Sequence, residues 1–320
     1  MVREHEARTQ ESAVDRTIFP PLVAILGPTG SGKSALAMEL APRFGAEIIS
    51  ADSRQVYRYL DICTDKPSLR DRERVPHHLL DLVLPDERYT VVEFRRDAER
   101  ALRGVAERRR VAFLVGGTGH YARSLLERLS FPEIKPDIER TRLISAYVRE
   151  AGTDVAIREI AHTDQVTAQR LDPANHRRVA RALEIVRVTS APVPATTRCP
   201  IPALVLGIEI QRERLYQRID DRIDRQMAEG LVDETKSLLD MGYPQSLPVL
   251  SGLGYGHMIS YITGAQPLED AVQRYKHATH AFARRQLTWF RKEPRLQWLN
   301  ADEEDFVKAA ALAIKSYLNV

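Results

Sequence analysis

Eight residues near the start of the chain, Gly27-Pro28-Thr29-Gly30-Ser31-Gly32-Lys33-Ser34, have the types and spacing of a loop that cradles phosphates. Its glycines let backbone N–H groups converge on oxyanions, Lys33 adds a mobile positive charge, and the Ser34 hydroxyl can ligate a magnesium ion. The run is expected to hold a chain of phosphates without saying which compound carries them.

Phosphoryl-transfer enzymes with such a loop carry a strand ending in an acid that supports the metal. Here the apolar run Val111 to Val115 ends in Gly116-Gly117-Thr118-Gly119, and the nearest substitute is Asp81 after the short run Leu79-Leu80. Asp52 is the better-placed carboxylate. It follows the strand-like Ala46 to Ser50 and is expected to face the same crevice as Lys33 and Ser34, where it could accept a proton from an incoming nucleophile. The other reading of Asp52 is an Asx-turn or a helix cap closing the strand end, with Ser53 sharing that role. Thr118 could donate a hydrogen bond to a leaving oxygen or simply shape its turn, and Arg222 is one of several arginines on one helix that could reach the phosphates. His77 and His78 are adjacent, so on a strand they point to opposite faces and read as structural.

These residues need a framework. Pro21 to Leu26 (PLVAIL) is an unbroken apolar run of strand length, and Ser34 to Leu40 (SALAMEL) starts a helix, so strand, loop and helix stand in the required order. A helix is predicted over Val91 to Arg110 and strands over Val111 to Val115 and Ala203 to Ile210. From Phe131 to about Ser190 strand signals vanish, and short amphipathic helices are predicted instead, the last over Asn175 to Val188 with Arg177, Arg178 and Arg181 away from its apolar side. Helices are then predicted over Arg212 to Glu229, Val232 to Met241, Leu268 to Arg291 and Glu303 to Tyr317. The expected fold is α/β: a P-loop NTPase-like parallel sheet flanked by helices, with an all-helical insertion domain. Residues 1–18 read as a disordered tail, 19–130 plus 203–320 as the core domain, and 131–202 as the insertion.

With 320 residues, 43% of them apolar and 28% charged, the chain has an ordinary globular composition, and no apolar stretch approaches the roughly 18 residues of a membrane span. Residues 1–16 lack the apolar segment of a secretory signal. Cys63 and Cys199 form neither a CxxC pair nor a His-rich cluster, which argues against a disulfide framework or zinc site and fits a reducing cytoplasm. The net charge of +3 is mildly basic. Basic residues gather at Arg177, Arg178, Arg181 and Arg187 and again from Arg274 to Arg295, both candidate phosphate-backbone surfaces that a solvated helix face would explain equally well.

Taken together, Gly27 to Ser34 (GPTGSGKS), Asp52 to Tyr57 (DSRQVY), Leu60 to Ser68 (LDICTDKPS), Val115 to Tyr121 (VGGTGHY), Arg181 to Glu184 (RALE), Gly252 to Tyr255 (GLGY) and Arg284 to Arg291 (RRQLTWFR) resemble the tRNA dimethylallyltransferases, also called tRNA isopentenyltransferases. The resemblance implies transfer of a prenyl group from dimethylallyl diphosphate to N6 of the adenosine 3′ to the anticodon, position 37, with release of diphosphate. It further implies Asp52 as general base, Thr118 at the reacting region, Lys33 and Arg222 neutralising the diphosphate beside Mg2+, and tRNA contacts from Asp52, Ser53, Arg54, Gln55 and Thr118 and, in the insertion, Arg177, Arg178 and Arg181. The expected partner is a tRNA anticodon stem-loop, and the expected state a cytoplasmic monomer.

The sequence departs from the family pattern at Cys63, where Gly is usual, at Asp65, where Ala is common, at His120 for Leu, and at Arg177 for Gln. These departures imply retained catalysis with altered tRNA contacts. Three other functions fit parts of the pattern: prenyl transfer to free AMP or ATP, a small-molecule P-loop kinase using an acid near Asp81, and a non-catalytic RNA-binding module.

Overall fold

The computed structural model describes residues 19–132, 134, 137–194 and 197–320, so the expected N-terminal tail lies outside the described residues. The described residues divide into two compact units, one built from 19–128 and 199–320 and the other from those lying between 129 and 198.

The larger unit is a six-stranded sheet in which every pairing is parallel. Its strands are β1 (Leu22–Leu26), β2 (Ala46–Ser50), β3 (His77–His78), β4 (Val111–Gly116), β5 (Ala203–Glu209) and β6 (Gln297–Asn300), in the spatial order β3-β2-β4-β1-β5-β6. β1 and β4 are apolar runs because both faces are covered, and β2 is buried throughout although it carries Glu47. Leu22, Ala24 and Leu26 of β1 pack on one side with Phe94 and Leu102 of α3 (Val91–Glu107) and with Leu125 of α4 (Gly119–Leu126). Val23 and Ile25 point to the other side, against Leu36 and Leu40 of α1 (Lys33–Leu40) and Ile314 of α13 (Phe306–Leu318). A second core joins α9 (Arg212–Ala228), α10 (Leu231–Asp240), α11 (Tyr255–Ile262) and α12 (Leu268–Phe290), with Ile219, Leu238, Tyr255, Met258 and Tyr275 buried together. The short α2 (Leu69–Arg74) starts at Ser68 with a reciprocal capping box through Asp71.

The predicted elements occur in the predicted order, with ends shifted by a few residues. Elements without a prediction are α2, α4, α11, β3 and β6. β6 is four largely exposed residues that form a strand because the edge of β5 pairs with them, a cause no local periodicity carries. One buried charge also sits inside β2. Glu47 accepts both guanidinium bonds of Arg108 at 2.8 Å and meets His78 Nε2 at 2.6 Å. The Arg108 bonds hold its carboxyl down at about 2, against the cost of burial.

The smaller unit is helical: α5 (Ile138–Ala151), α6 (Thr153–Thr163), α7 (Gln165–Arg170) and α8 (His176–Thr189). Ile144, Val148, Ile160, Val179, Leu183 and Val186 form its core. Buried Glu184 of α8 is bound by Arg181 Nη1 at 2.7 Å, Arg140 Nε at 3.1 Å and Thr141 Oγ1 at 3.1 Å. Arg187 grips Glu159 through two bonds of 2.6 and 2.8 Å and lies over the Tyr147 ring.

The ends of β2 and β4 lie unusually close. Ala51 N–H donates to Val115 O at 2.7 Å, Thr118 N–H donates to Ala51 O at 3.2 Å, and a Cβ on Gly116 would collide with the Ala51 carbonyl. Gly116→Ala is therefore expected to cost about 2 kcal/mol by overpacking, read as a fall in the urea midpoint at unchanged m-value.

Candidate active site

β1 runs into the glycine-rich loop, and α1 begins at Lys33 behind Gly32, whose φ of 93° is left-handed. No side chain caps this helix start and no acidic residue lies in its first turn, so its leading N–H groups and positive dipole end are available to an anion. The loop is clamped from behind. Gln286 of α12 accepts from Thr29 N–H at 2.9 Å and donates through Nε2 to Gly117 O at 2.8 Å, tying the loop to the turn after β4. Arg218 Nη1 donates to Ser31 O at 3.4 Å. Ser31 Oγ is buried with no hydrogen-bond partner among the described residues.

Lys33 Nζ donates to Pro28 O at 3.2 Å. Burial lowers its pKa to about 8; Arg222 pushes the same way, while Asp52 and Asp65 oppose. Arg222 has a side chain 16% exposed, its Nη1 3.6 Å from Asp65 Oδ2 and its buried Nε without a partner among the described residues.

Asp52 makes the Asx-turn and also faces the crevice. Its Oδ1 accepts from Arg54 N–H at 2.8 Å and from Gln55 N–H at 3.4 Å, which closes the turn after β2. Its Oδ2 makes no hydrogen bond among the described residues, so one oxygen locks the backbone and the other can take a proton. Thr118 precedes α4, and its Oγ1 accepts from Ser53 N–H at 3.1 Å, joining the two strand-end turns.

A cavity of about 380 Å³ brings these groups together. Of the residues expected at the site, Thr29, Lys33, Ser34, Asp52, Ser53, Arg54, Gln55, Thr118 and Arg222 line it, whereas Gly27, Pro28, Gly30, Ser31 and Gly32 are the backbone of the loop beside it. Leu253, Tyr255, Tyr275 and Phe282 add an apolar wall. Gln55 also has a supporting role: its amide accepts from Ser50 Oγ and donates to Thr64 O and Asp65 O. Arg177, Arg178 and Arg181 lie on α8 of the smaller unit; Arg181 is paired with Glu184, while Arg177 and Arg178 are exposed and their guanidinium groups have no partner among the described residues.

Asp81 is excluded as the metal-supporting acid, because Lys66 Nζ and Arg72 Nη1 hold its two oxygens at 2.7 and 2.6 Å. The basic C-terminal run is also less free than its sequence implies: Lys276 pairs with Asp224, Arg295 with Glu293 and Arg291 with Glu209. Arg285, one of the basic residues expected to form a phosphate-backbone surface, lines the cavity, as do Gln286 and Tyr275, to which sequence reading gave no role of their own. A signal was present for the last two, since Tyr275, Thr279 and Gln286 are polar side chains at buried helical spacing on α12.

A parallel sheet whose first strand feeds a phosphate loop and a helix defines a P-loop NTPase-like α/β protein, here with a carboxylate where a proton acceptor would stand. The chain belongs to the IPP transferase family, whose model matches residues 55–293, and an isopentenyl transferase model matches residues 20–77. It is 43% identical over 286 residues to a tRNA dimethylallyltransferase of Thermomicrobium roseum, covering 88% of this chain and 87% of the relative. It is 39% identical to one from Roseiflexus sp., covering 93% and 99%. Its structure is similar to that of a full-length tRNA isopentenylpyrophosphate transferase from Bacillus halodurans, with a TM-score of 0.70, 34% identity and coverage of 93% and 97%. It is also similar to a eukaryotic dimethylallyltransferase acting on tRNA, with a TM-score of 0.77, 26% identity and coverage of 94% and 80%.

Because the Lys33 ammonium loses its proton near pH 8 in the free protein, affinity for inorganic pyrophosphate is expected to fall as pH rises through that value. Titration calorimetry across pH 7 to 9 checks this, and Lys33→Met should weaken binding by about tenfold or more and remove the Lys33-dependent part of the pH response.

Proposed function

We propose that this chain transfers the dimethylallyl group of dimethylallyl diphosphate to N6 of adenosine 37 in tRNA and releases diphosphate, acting as a cytoplasmic monomer. The observation that carries this reading is the pairing, in one cavity, of a cationic phosphate cradle with a carboxylate that has one oxygen locked and one uncommitted. An exocyclic adenine amine is a poor nucleophile, so the reaction needs a base at N6 and stabilisation of the departing charge. Asp52 Oδ2 takes the N6 proton as the bond from N6 to the prenyl C1 forms and the C1–O bond to diphosphate breaks. The loop N–H groups, Lys33 and Arg222 receive the charge that leaves with the diphosphate. Thr118 holds Ser53, and with it the Asp52 turn, against the end of β4.

Mg2+ fits this donor set. Ser34 lines the cavity with its hydroxyl as the protein donor, and no group of three or more His, Cys, Asp or Glu residues able to hold a metal occurs among the described residues. Such sparse protein ligation suits an ion held largely by substrate phosphates and water. When bound, the ion adds positive charge at the diphosphate. The engagement of Asp81 in ion pairs argues against a kinase.

The target base must leave its stack to react. Ser53, Arg54 and Gln55 line the cavity that would receive it, and Arg177 and Arg178 of the helical unit, with Arg181 in a lesser role, would meet the RNA backbone.

Incubation with labelled dimethylallyl diphosphate, Mg2+ and either unmodified tRNA or AMP is expected to label tRNA alone; label in AMP alone would overturn the RNA assignment. Asp52→Asn should lower the single-turnover rate by about 100-fold or more while pyrophosphate binding is retained. Replacing Arg177 and Arg178 by Ala should weaken tRNA binding and reduce its log-log salt slope by about one per residue, and an unchanged slope would remove this surface from the RNA contact.

A further inference from the structure

We propose that Asp65 is a resident competitor for Arg222, a carboxylate that holds the guanidinium until a diphosphate displaces it and so weakens the site's grip on the departing product. The inference rests on the reading of Lys33 and Arg222 as the diphosphate site.

Asp65 is not a stray surface acid. It is delivered to the cavity by a segment, Asp61 to Lys66, that is bonded on every side. Glu234 accepts from the N–H groups of Asp61, Ile62 and Cys63 at 2.9, 2.8 and 3.3 Å and from the Tyr255 hydroxyl at 2.6 Å. Gln226 Nε2 donates to Ile62 O and Cys63 O, and its Oε1 accepts from Tyr275 Oη at 3.0 Å. Gln55 Nε2 donates to Thr64 O and Asp65 O at 3.2 Å each. Lys66, its side chain 1% exposed, plugs the far end by donating to Tyr57 O and pairing with Asp61 and Asp81. Asp65 itself is held at φ 54°, a left-handed conformation that Asp and Asn tolerate better than most residues.

The pair this segment creates is electrostatic rather than hydrogen-bonded. At 3.6 Å between Arg222 Nη1 and Asp65 Oδ2 it lies within ion-pair range but beyond a good N–H···O bond, and the buried Arg222 Nε keeps no partner among the described residues. Arg222 thus keeps donors that an incoming diphosphate can use. Asp65 is 54% exposed, so water can take over its charge once the pair opens. Asp65 favours the charged form of Lys33, but a bound diphosphate would be repelled by the same carboxylate, and this repulsion, together with the competition for Arg222, opposes tight binding. A strong anion cradle releases its product slowly, and a fixed acid beside it counteracts that without removing any donor.

Titration calorimetry with inorganic pyrophosphate, with and without Mg2+, tests the proposal on the parent protein, D65N, R222Q and the double variant. Asn suits the left-handed backbone at position 65, so D65N keeps the segment intact. D65N is expected to bind pyrophosphate about three- to tenfold more tightly, with the gain shrinking below about twofold in the R222Q background. Unchanged or weaker binding by D65N, beside normal binding by the parent, would overturn the competitor role and leave the diphosphate site standing. A gain of equal size in both backgrounds would show that Asp65 does not act through Arg222 and would overturn the proposal. Weaker binding by D65N only when Mg2+ is present would make Asp65 a metal ligand instead. Failure of the parent protein to bind pyrophosphate at all would remove the underlying site assignment.

Discussion

The site depends on how closely the ends of β2 and β4 approach. Two parallel strands can share their last backbone bonds and then turn into a common crevice only if nothing projects between them, and at Gly116 a side chain would strike the Ala51 carbonyl. With that approach allowed, Thr118 reaches back to both Ala51 O and Ser53 N–H, and Asp52 is left two residues beyond the β2 end. A parallel sheet gathers its strand ends on one edge, so the same edge already carries the loop after β1. The base candidate, the phosphate loop and the Gly-Gly-Thr turn therefore converge as a consequence of one backbone contact.

Helix α12 completes the arrangement from outside the sheet. Gln286 spans the phosphate loop and the β4 turn with one amide, satisfying Thr29 N–H and Gly117 O together. Phe290, one turn further along, is buried in the core on the α3 and α4 side of the sheet. Loop position is thus coupled to the packing of a helix 23 residues long, whose buried Ala271, Tyr275 and Ala283 belong to a different core cluster. Rigid support of this kind keeps backbone donors aligned where charge develops, which is more effective than flexible side chains that must be ordered during the reaction.

The charges show two contrasting uses of burial. Glu47, inside β2, is paired by Arg108 and His78 and serves the sheet. Lys33 is desolvated with no carboxylate within bonding distance, and its lowered pKa reflects an ammonium kept short of partners. A group held in that condition gains more from a bound anion than one already paired. Asp65 limits that gain from the rim of the same cavity.

Strands β1, β2, β4 and β5, the helix after the phosphate loop and the helical character of the middle segment were legible in the sequence because short, mainly apolar runs and helical periodicity are local properties. The phosphate loop was legible because its function resides in its own backbone. The turn role and the crevice-facing role of Asp52 were legible only as two alternatives; the fold makes them compatible, because one carboxylate oxygen closes the turn and the other stays uncommitted. Other assignments needed partners far away in the chain. Asp81 reads as a possible metal-supporting acid until Lys66 and Arg72 are found on it, and the C-terminal arginines read as an open basic face until Glu209 and Glu293 are placed beside them. Gln286 bonds a residue 257 positions earlier, and β6 is a strand because β5 offers it an edge. Local sequence carried most of the strands and helices and the place of the phosphate-loop motif, whereas packing set which charged and polar groups remain uncommitted, because that depends on neighbours brought together across the fold rather than by order along the chain.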